Sequence, residues 1–240
     1  MIQKEVASLA AAVADVPDGA TVMVGGFGTA GLPNELVAAL LEQGARELTI
    51  VNNNAGNGDT GLAALLAAGR VKKIICSFPR QADSHHFDGL YRAGKIELEL
   101  VPQGNLAERI RAAGAGIGAF FCPTAYGTDL AKGKETREID GKQYVLEYPI
   151  HGDVALVKAE AGDRWGNLVY RKAARNFATS PAGRSILLSP SRFKFGNARR
   201  RIRASAVTRA WLNWSTSSDF NSTSTSSVAS VRLSGFDEFA

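Results

Sequence analysis

The chain has 240 residues, of which 45% are hydrophobic and 21% charged, enough apolar material for one large core or two small ones. No run approaches the ~18 apolar residues of a membrane-spanning helix, and Met1–Glu5 has neither the basic nor the apolar segment of a secretory leader. The formal charge of +5 is local: residues 178–240 hold nine basic and three acidic side chains, which leaves residues 1–177 at −1, so the overall charge is no ground for inferring nucleic-acid binding by the main body. The two cysteines, Cys76 and Cys122, lie in apolar runs. They are expected to be reduced, buried thiols of a cytoplasmic protein, and they are too few for a structural zinc site or a disulfide scaffold.

Residues 3–15 predict a helix, closed by the turn Pro17-Asp18-Gly19. Thr21–Val24 is a short buried strand. Pro33 suits a first helical position, Leu36, Val37, Leu40 and Leu41 share one helical face, and Gly44 stops that helix. Leu48–Val51 is a strand, residues 60–68 a helix, Lys73–Cys76 a strand, and residues 85–93 a helix. Ile96–Val101 alternates as a fourth strand, residues 105–113 are helical, and Ala119–Cys122 is a fifth strand. Strand starts about two dozen residues apart fit one strand, one helix and two short loops per unit. The expected fold is α/β, an open and mostly parallel sheet with right-handed crossovers and helices on both faces. Thr136–Ile150 adds a β-hairpin turning at Asp140-Gly141, and Val154–Val157 and Leu168–Tyr170 are further strands around the turn-rich Gly162–Asn167.

The most informative loop is Gly25-Gly26-Phe27-Gly28-Thr29-Ala30-Gly31, between a strand and a helix. Glycines let backbone N–H groups approach a ligand, and the helix N-terminus adds partial positive charge, so the loop suits an anion such as phosphate. Gly26 to Gly31 also matches G-x-G-x-x-G, but a dinucleotide site needs a carboxylate about 20 residues on. Asn52-Asn53-Asn54 stands there instead, so a nicotinamide oxidoreductase is not the reading. His85 and His86 are neighbours that would point about 100° apart on a helix. With His151 they show no ligand spacing, and no metal site is expected. Arg171, Lys172 and Arg175 suit phosphates or an acidic substrate as well as a solvated face, and Glu108, Arg109 and Arg111 suit a surface.

The longer string Asp18 to Pro33 resembles the signature of the A (alpha) chain of family I CoA-transferases, the 3-oxoacid type. Asn53-Asn54-Ala55-Gly56, Val101 to Ile110 and Gly166 to Phe177 resemble the same family, in order, over residues 1–177. Asn52 to Asp59 and Ser77 to Gln81 are most similar to the branch acting on 3-oxoadipate, although acetoacetate-type relatives share most of the other motifs. The resemblance implies the CoA-transferase version of a Rossmann-like fold. It implies a ping-pong reaction in which a glutamate takes CoA from succinyl-CoA and passes it to a 3-oxo acid. No permanently bound cofactor is implied; CoA enters as part of the substrate. In two-chain members the glutamate lies on the B subunit, in a Ser-Glu-Asn-Gly motif absent here, so a B subunit is the expected partner and no catalytic residue is assigned to this chain. By the same resemblance Gly25, Gly26, Phe27, Gly28, Thr29, Ala30 and Gly31 bind CoA. Asn53, Asn54 and Gln103 lie near the reacting groups, where neutral amides can donate hydrogen bonds to a carboxylate or oxyanion. Loop capping is the alternative for the two asparagines.

Composition breaks near Phe177. Only three serines precede it and fourteen follow, with Arg199-Arg200-Arg201 and two polar Ser/Thr runs. Residues 1–177 are therefore expected to form the A-type CoA-transferase domain. Residues 178–240 form a divergent Arg/Ser-rich tail, read as disordered or as the product of a reading-frame change. An inactive remnant that only binds or docks is the alternative to an active subunit.

Overall fold

The computed structural model describes residues 5–163, 167–171, 183–195, 198–200 and 207–211. The boundary expected near Phe177, the motif from Lys172 to Phe177 and the polar runs beyond Trp211 lie outside the described residues.

The first elements are β1 (Glu5–Val6) and α1 (Leu9–Val13). The helix expected over 3–15 is shorter because Ser8 caps it: its Oγ accepts from the Ala11 amide at 3.1 Å, while Glu5 and Val6 pair with a distant strand. Four strand–helix units follow: β2 (Thr21–Val24), α2 (Asn34–Gln43), β3 (Leu48–Val51), α3 (Leu62–Ala67), β4 (Val71–Cys76), α4 (His85–Arg92), β5 (Glu97–Leu100) and α5 (Gln103–Gly114). Next come β6 (Phe120–Cys122), β7 (Thr136–Ile139), β8 (Lys142–Glu147), the long β9 (Gly152–Gly162) and β10 (Leu168–Val169). β11 (Gly183–Phe195), β12 (Ala198–Arg200) and β13 (Val207–Trp211) fall within the segment set apart as a tail.

The main sheet has the order β1-β13-β11-β9-β2-β3-β4-β5, and every neighbouring pair from β11 to β5 is parallel. Both faces are covered at the central strands β2, β3 and β9, which is why these are largely apolar and buried. Val22, Val24, Leu48, Ile50, Ile74, Cys76, Val154 and Leu156 pack with α1 to α4 on one face. Met23, Val51, Ile75 and Ala155, one residue out of phase, pack with Leu106 and Ile110 of α5 on the other.

One expected strand is placed differently. Residues 120–122 do not extend the parallel sheet; they pair antiparallel with β8 in a second sheet of order β6-β8-β7. β5 thus stays an edge, carrying Glu99 bridged to Lys73 and Arg109, and charges on an edge discourage further pairing. The expected hairpin is this second sheet's β7–β8, turning at Asp140-Gly141. It is fastened to α5 by a buried carboxylate: Glu147 Oε1 accepts from Lys134 Nζ at 2.8 Å and Asn105 Nδ2 at 3.0 Å. Arg109, expected on a surface, donates to Glu99 and to the Tyr148 carbonyl.

Candidate functional site

Three loops leave the carboxyl ends of the adjacent strands β2, β3 and β4. Chain order runs one way from β2 through β5, while β9 returns on the other side of β2. That reversal makes the end of β2 a topological switch point, where open α/β sheets bind ligands.

The first loop is the glycine segment. Gly25 is tied to β9 through the Leu156 carbonyl at 2.9 Å. Phe27 and Ala30 then exchange both backbone hydrogen bonds, at 2.9 and 3.0 Å, closing a hairpin with Gly28-Thr29 at its tip. Two of the amides expected to face a ligand are therefore used within the loop. Those of Gly28 and Thr29 form no backbone hydrogen bond among the described residues. Gly28 has φ 61°, a conformation that costs an L-residue about 1–2 kcal/mol. Pro33 sits at the N-cap of α2, one position earlier than expected.

The second loop is held by its asparagines, all three buried. Asn52 donates Nδ2 to the Val24 carbonyl at 2.6 Å and accepts the Asn54 amide on Oδ1 at 3.0 Å. Asn53 Oδ1 accepts from Ser77 Oγ at 2.6 Å, and its carbonyl accepts the Ser77 and Phe78 amides. Asn54 Oδ1 accepts from the Gly56 amide at 2.9 Å, and its Nδ2 approaches the Gly28 carbonyl at 3.4 Å. Asn53 and Asn54 thus work as loop-forming groups, and Asn54 alone of the two lines the cleft between the loops.

That cleft has a volume of about 50 Å³. Gly28 and Thr29 form one wall, Asn54, Gly56, Asn57 and Thr60 a second, and Gln81 a third; among the described residues no carboxylate lines it. It has room for a few waters or one small polar group. Gln103 is not part of it: it is exposed, at the first residue of α5. Gln81, quoted in the Ser77–Gln81 resemblance but given no site role there, is the addition. Its side-chain oxygen is buried and meets no donor among the described residues, and an orphaned acceptor in a cleft wall can take a ligand's N–H or O–H. Ser84 places it, accepting the Gln81 amide at 2.8 Å while donating to the Gly56 carbonyl at 3.1 Å.

The histidines depart from expectation as well. His85 and His86 open α4, and both approach Asp59 from the second loop, at 3.3 and 2.9 Å. Their divergence on the helix does not separate them, because at a helix end both rings can lean toward one carboxylate. The Asp83 carboxylate beside His85 raises its pKa above the usual histidine value, and His86 holds Asp59 below the usual carboxylate range. Of the other groups, Arg171 is exposed, and Arg111 pairs with Glu108 on the surface. Cys76 is buried and Cys122 half-buried, both free thiols. No described helix is long and apolar enough to cross a membrane.

The Coenzyme A transferase family model matches residues 6–189. The chain belongs to the coenzyme A transferase family. The A subunit of 3-oxoadipate CoA-transferase from Pseudomonas putida is 71% identical over 177 residues, 74% of this chain and 77% of that relative. The A subunit of a succinyl-CoA:3-ketoacid coenzyme A transferase from Xanthomonas campestris pv. campestris is 52% identical over 184 residues, 75% of each chain. The structure of glutaconate coenzyme A-transferase from Acidaminococcus fermentans superimposes with a TM-score of 0.67, over 78% of this chain and 67% of that one. At 20% identity that likeness bears on the fold alone. The fold expected from the sequence, a mostly parallel sheet flanked by helices in the manner of a CoA-transferase, is the fold observed.

Proposed function

We propose that the chain is the A subunit of a heteromeric CoA-transferase that moves CoA from succinyl-CoA to a 3-oxo acid, with 3-oxoadipate as the preferred acceptor. One observation carries the acceptor: identity is 71% to the 3-oxoadipate relative and 52% to the 3-ketoacid relative.

The chemistry needs a carboxylate nucleophile. It attacks the thioester carbonyl of succinyl-CoA, forming a mixed anhydride and releasing the CoA thiolate. The thiolate then attacks the enzyme-side carbonyl, giving an enzyme thioester and free succinate. The acceptor carboxylate reverses these two steps and leaves as its CoA ester, regenerating the nucleophile. Among the described residues the cleft has amide, hydroxyl and backbone groups but no carboxylate. A glutamate of a partner B subunit fits that division. The cleft is also too small for an acyl-CoA, and a second subunit can supply the remaining enclosure.

In this reading residues Gly25 to Gly31 hold the CoA side. The tip amides of Gly28 and Thr29 and the N-terminus of α2 favour negative charge, and exposed Phe27 offers apolar surface. Asn54 shapes the wall facing the thioester, Asn53 supports it from behind through Ser77, and Gln81 accepts a hydrogen bond from the bound substrate. Gln103, at the start of α5 on the same edge of the sheet, is reached by the acceptor acid only when the partner is docked.

The test is CoA transfer from succinyl-CoA to 3-oxoadipate and to acetoacetate, with this chain alone and co-expressed with a cognate B subunit. Turnover confined to the co-expressed sample, faster with 3-oxoadipate, is expected. Turnover by the chain alone would refute the divided site, and a preference for acetoacetate would refute the acceptor.

A further inference from the structure

We propose that Asp59, His85 and His86 form a three-ligand site for a divalent transition-metal ion of the zinc type, with Asp83 as the group that orients His85. The proposal is independent of the transferase reading.

The donor atoms of the three side chains lie within 4.8 Å of one another. His85 Nε2 is 3.3 Å from Asp59 Oδ1, and His86 Nε2 is 2.9 Å from the same oxygen. Tetrahedral coordination with bonds of about 2.0–2.1 Å sets donors roughly 3.4 Å apart. The two His–Asp59 separations are within about half an ångström of that value, and Asp59 and His85 are exposed and His86 half-buried, so the side chains can adjust. The two rings stand side by side, centroids 4.0 Å apart and tilted by 46°.

A second observation points to a ligand. His85 Nδ1 donates to Asp83 Oδ1 at 2.7 Å. That bond places a proton on Nδ1 and aims Nε2 at Asp59, the nitrogen through which the ring binds an ion once its own proton is displaced. A carboxylate on the far nitrogen of the ring is the arrangement that fixes the tautomer of a metal-binding histidine and raises its basicity. Asp83 is itself held: its amide donates to Asn57 Oδ1 at 2.9 Å, and its carbonyl accepts the Gly58 amide at 2.7 Å. The orienting group is thus anchored to the same loop that carries Asp59.

Two imidazoles and one carboxylate select zinc, nickel or copper over magnesium or calcium. Three protein ligands leave a fourth position for water. Coordination requires both Nε2 atoms to be free of protons: His85 releases its Nε2 proton to solvent while Nδ1–H stays on Asp83, and the His86 proton that faces Asp59 moves to Nδ1 through solvent, so both rings become neutral donors. No electron is transferred.

The site has a structural consequence. Asp59 belongs to the loop whose Asn57 and Thr60 form one wall of the cleft, and His85 and His86 closely follow the segment whose Gln81 forms another. An ion there staples the two walls together, so the width of the cleft depends on its occupancy.

The test is calorimetric titration of the full-length chain with Zn²⁺, and titration with Co²⁺ followed by its visible absorption. One ion per chain is expected, with the intense visible band of a four-coordinate cobalt site. Asp59→Asn and His86→Gln should each weaken binding at least tenfold, and Asp83→Asn by about 10–100-fold; His151→Gln should leave it unchanged. Absence of binding at millimolar Zn²⁺ would overturn the site. So would binding that survives both Asp59→Asn and His86→Gln, which would mark it as adventitious. Unchanged affinity in Asp83→Asn would overturn the orienting role.

Discussion

Asn52 donates its side-chain amide to the carbonyl of Val24 at 2.6 Å, so the first residue beyond β3 grips the last residue of β2. The same side chain accepts the Asn54 amide. One buried residue therefore sets the relation between the glycine loop and the loop that faces it. Asn52→Leu leaves a buried acceptor and a buried donor unpaired and should cost roughly 2–5 kcal/mol, measurable by urea unfolding. Asn52→Asp keeps the acceptor for Asn54 but sets a buried carboxylate against the Val24 carbonyl and should cost at least as much. Equal stability of the Leu variant and the parent would remove Asn52 from this role.

Two glycines of the site separate stability from activity. A Cβ on Gly56, at φ 96°, would lie 2.6 Å from the Ala63 backbone nitrogen, so Gly56→Ala should destabilise by about 3 kcal/mol. A Cβ on Gly28 meets only the end of the Gln81 side chain, at 3.4 Å. Gly28→Ala should cost about 1 kcal/mol in stability and lower transferase activity out of proportion to that loss. Melting curves and steady-state rates on both variants decide the matter.

Gln81 carries a buried oxygen without a donor among the described residues. Gln81→Leu removes an unsatisfied group and should leave stability unchanged or slightly higher. KM for the acyl-CoA should rise about tenfold, the equivalent of one lost hydrogen bond of ~1.4 kcal/mol. A fall in melting temperature with KM unchanged would make Gln81 a structural residue.

The two thiols should differ in reactivity. Burial pushes Cys76 up to about 12, against a smaller opposing effect of the Phe78 amide, so at pH 8 it is protonated and enclosed, hence inert. Cys122 is half-buried, with its thiol donating to Asn105 Oδ1 at 3.2 Å. Thiol titration of the native chain should give one reactive group, abolished by Cys122→Ser, and a second only in denaturant. Two fast-reacting thiols in the native protein would contradict the burial of Cys76.

Glu99 gives an acid dependence. Burial raises its pKa, but hydrogen bonds from Lys73 and Arg109 outweigh that and hold it below the usual carboxylate value. A depressed folded-state pKa contributes stability that is present above the unfolded pKa of about 4.3. It is lost as pH falls through the folded value. Stability should decline below about pH 4.5, and Glu99→Gln should flatten the slope in that range. An unchanged slope in the variant would assign the acid sensitivity elsewhere.

The buried strands were legible in the sequence because a sheet covered on both faces needs unbroken apolar runs, and Thr21–Val24 and Leu48–Val51 appear with the expected bounds. Ala119–Cys122 followed the same rhythm but joined another sheet, since three apolar residues do not specify a pairing partner. The glycine loop was visible as composition. Its internal hairpin was not, because the Phe27–Ala30 pairing depends on backbone angles at Gly28. Gln81 closes the Ser77–Gln81 segment that carries part of the family resemblance, but nothing in that segment singles it out as a cleft residue; the serine three residues later, which accepts its amide, hints at its placement. Asp59 and His85 lie far apart in sequence and become neighbours only because β3 and β4 are adjacent and parallel.

That adjacency has a further meaning. Adjacent parallel strands stand about 4.8 Å apart, so the roots of the loops after β2, β3 and β4 are marked off on a fixed ruler of roughly 10 Å. Slipping a strand by one residue would exchange its two faces and expose both cores. The graduations are thus immovable, and the reach of the site toward longer or shorter acids can change only through the length and tips of its three loops.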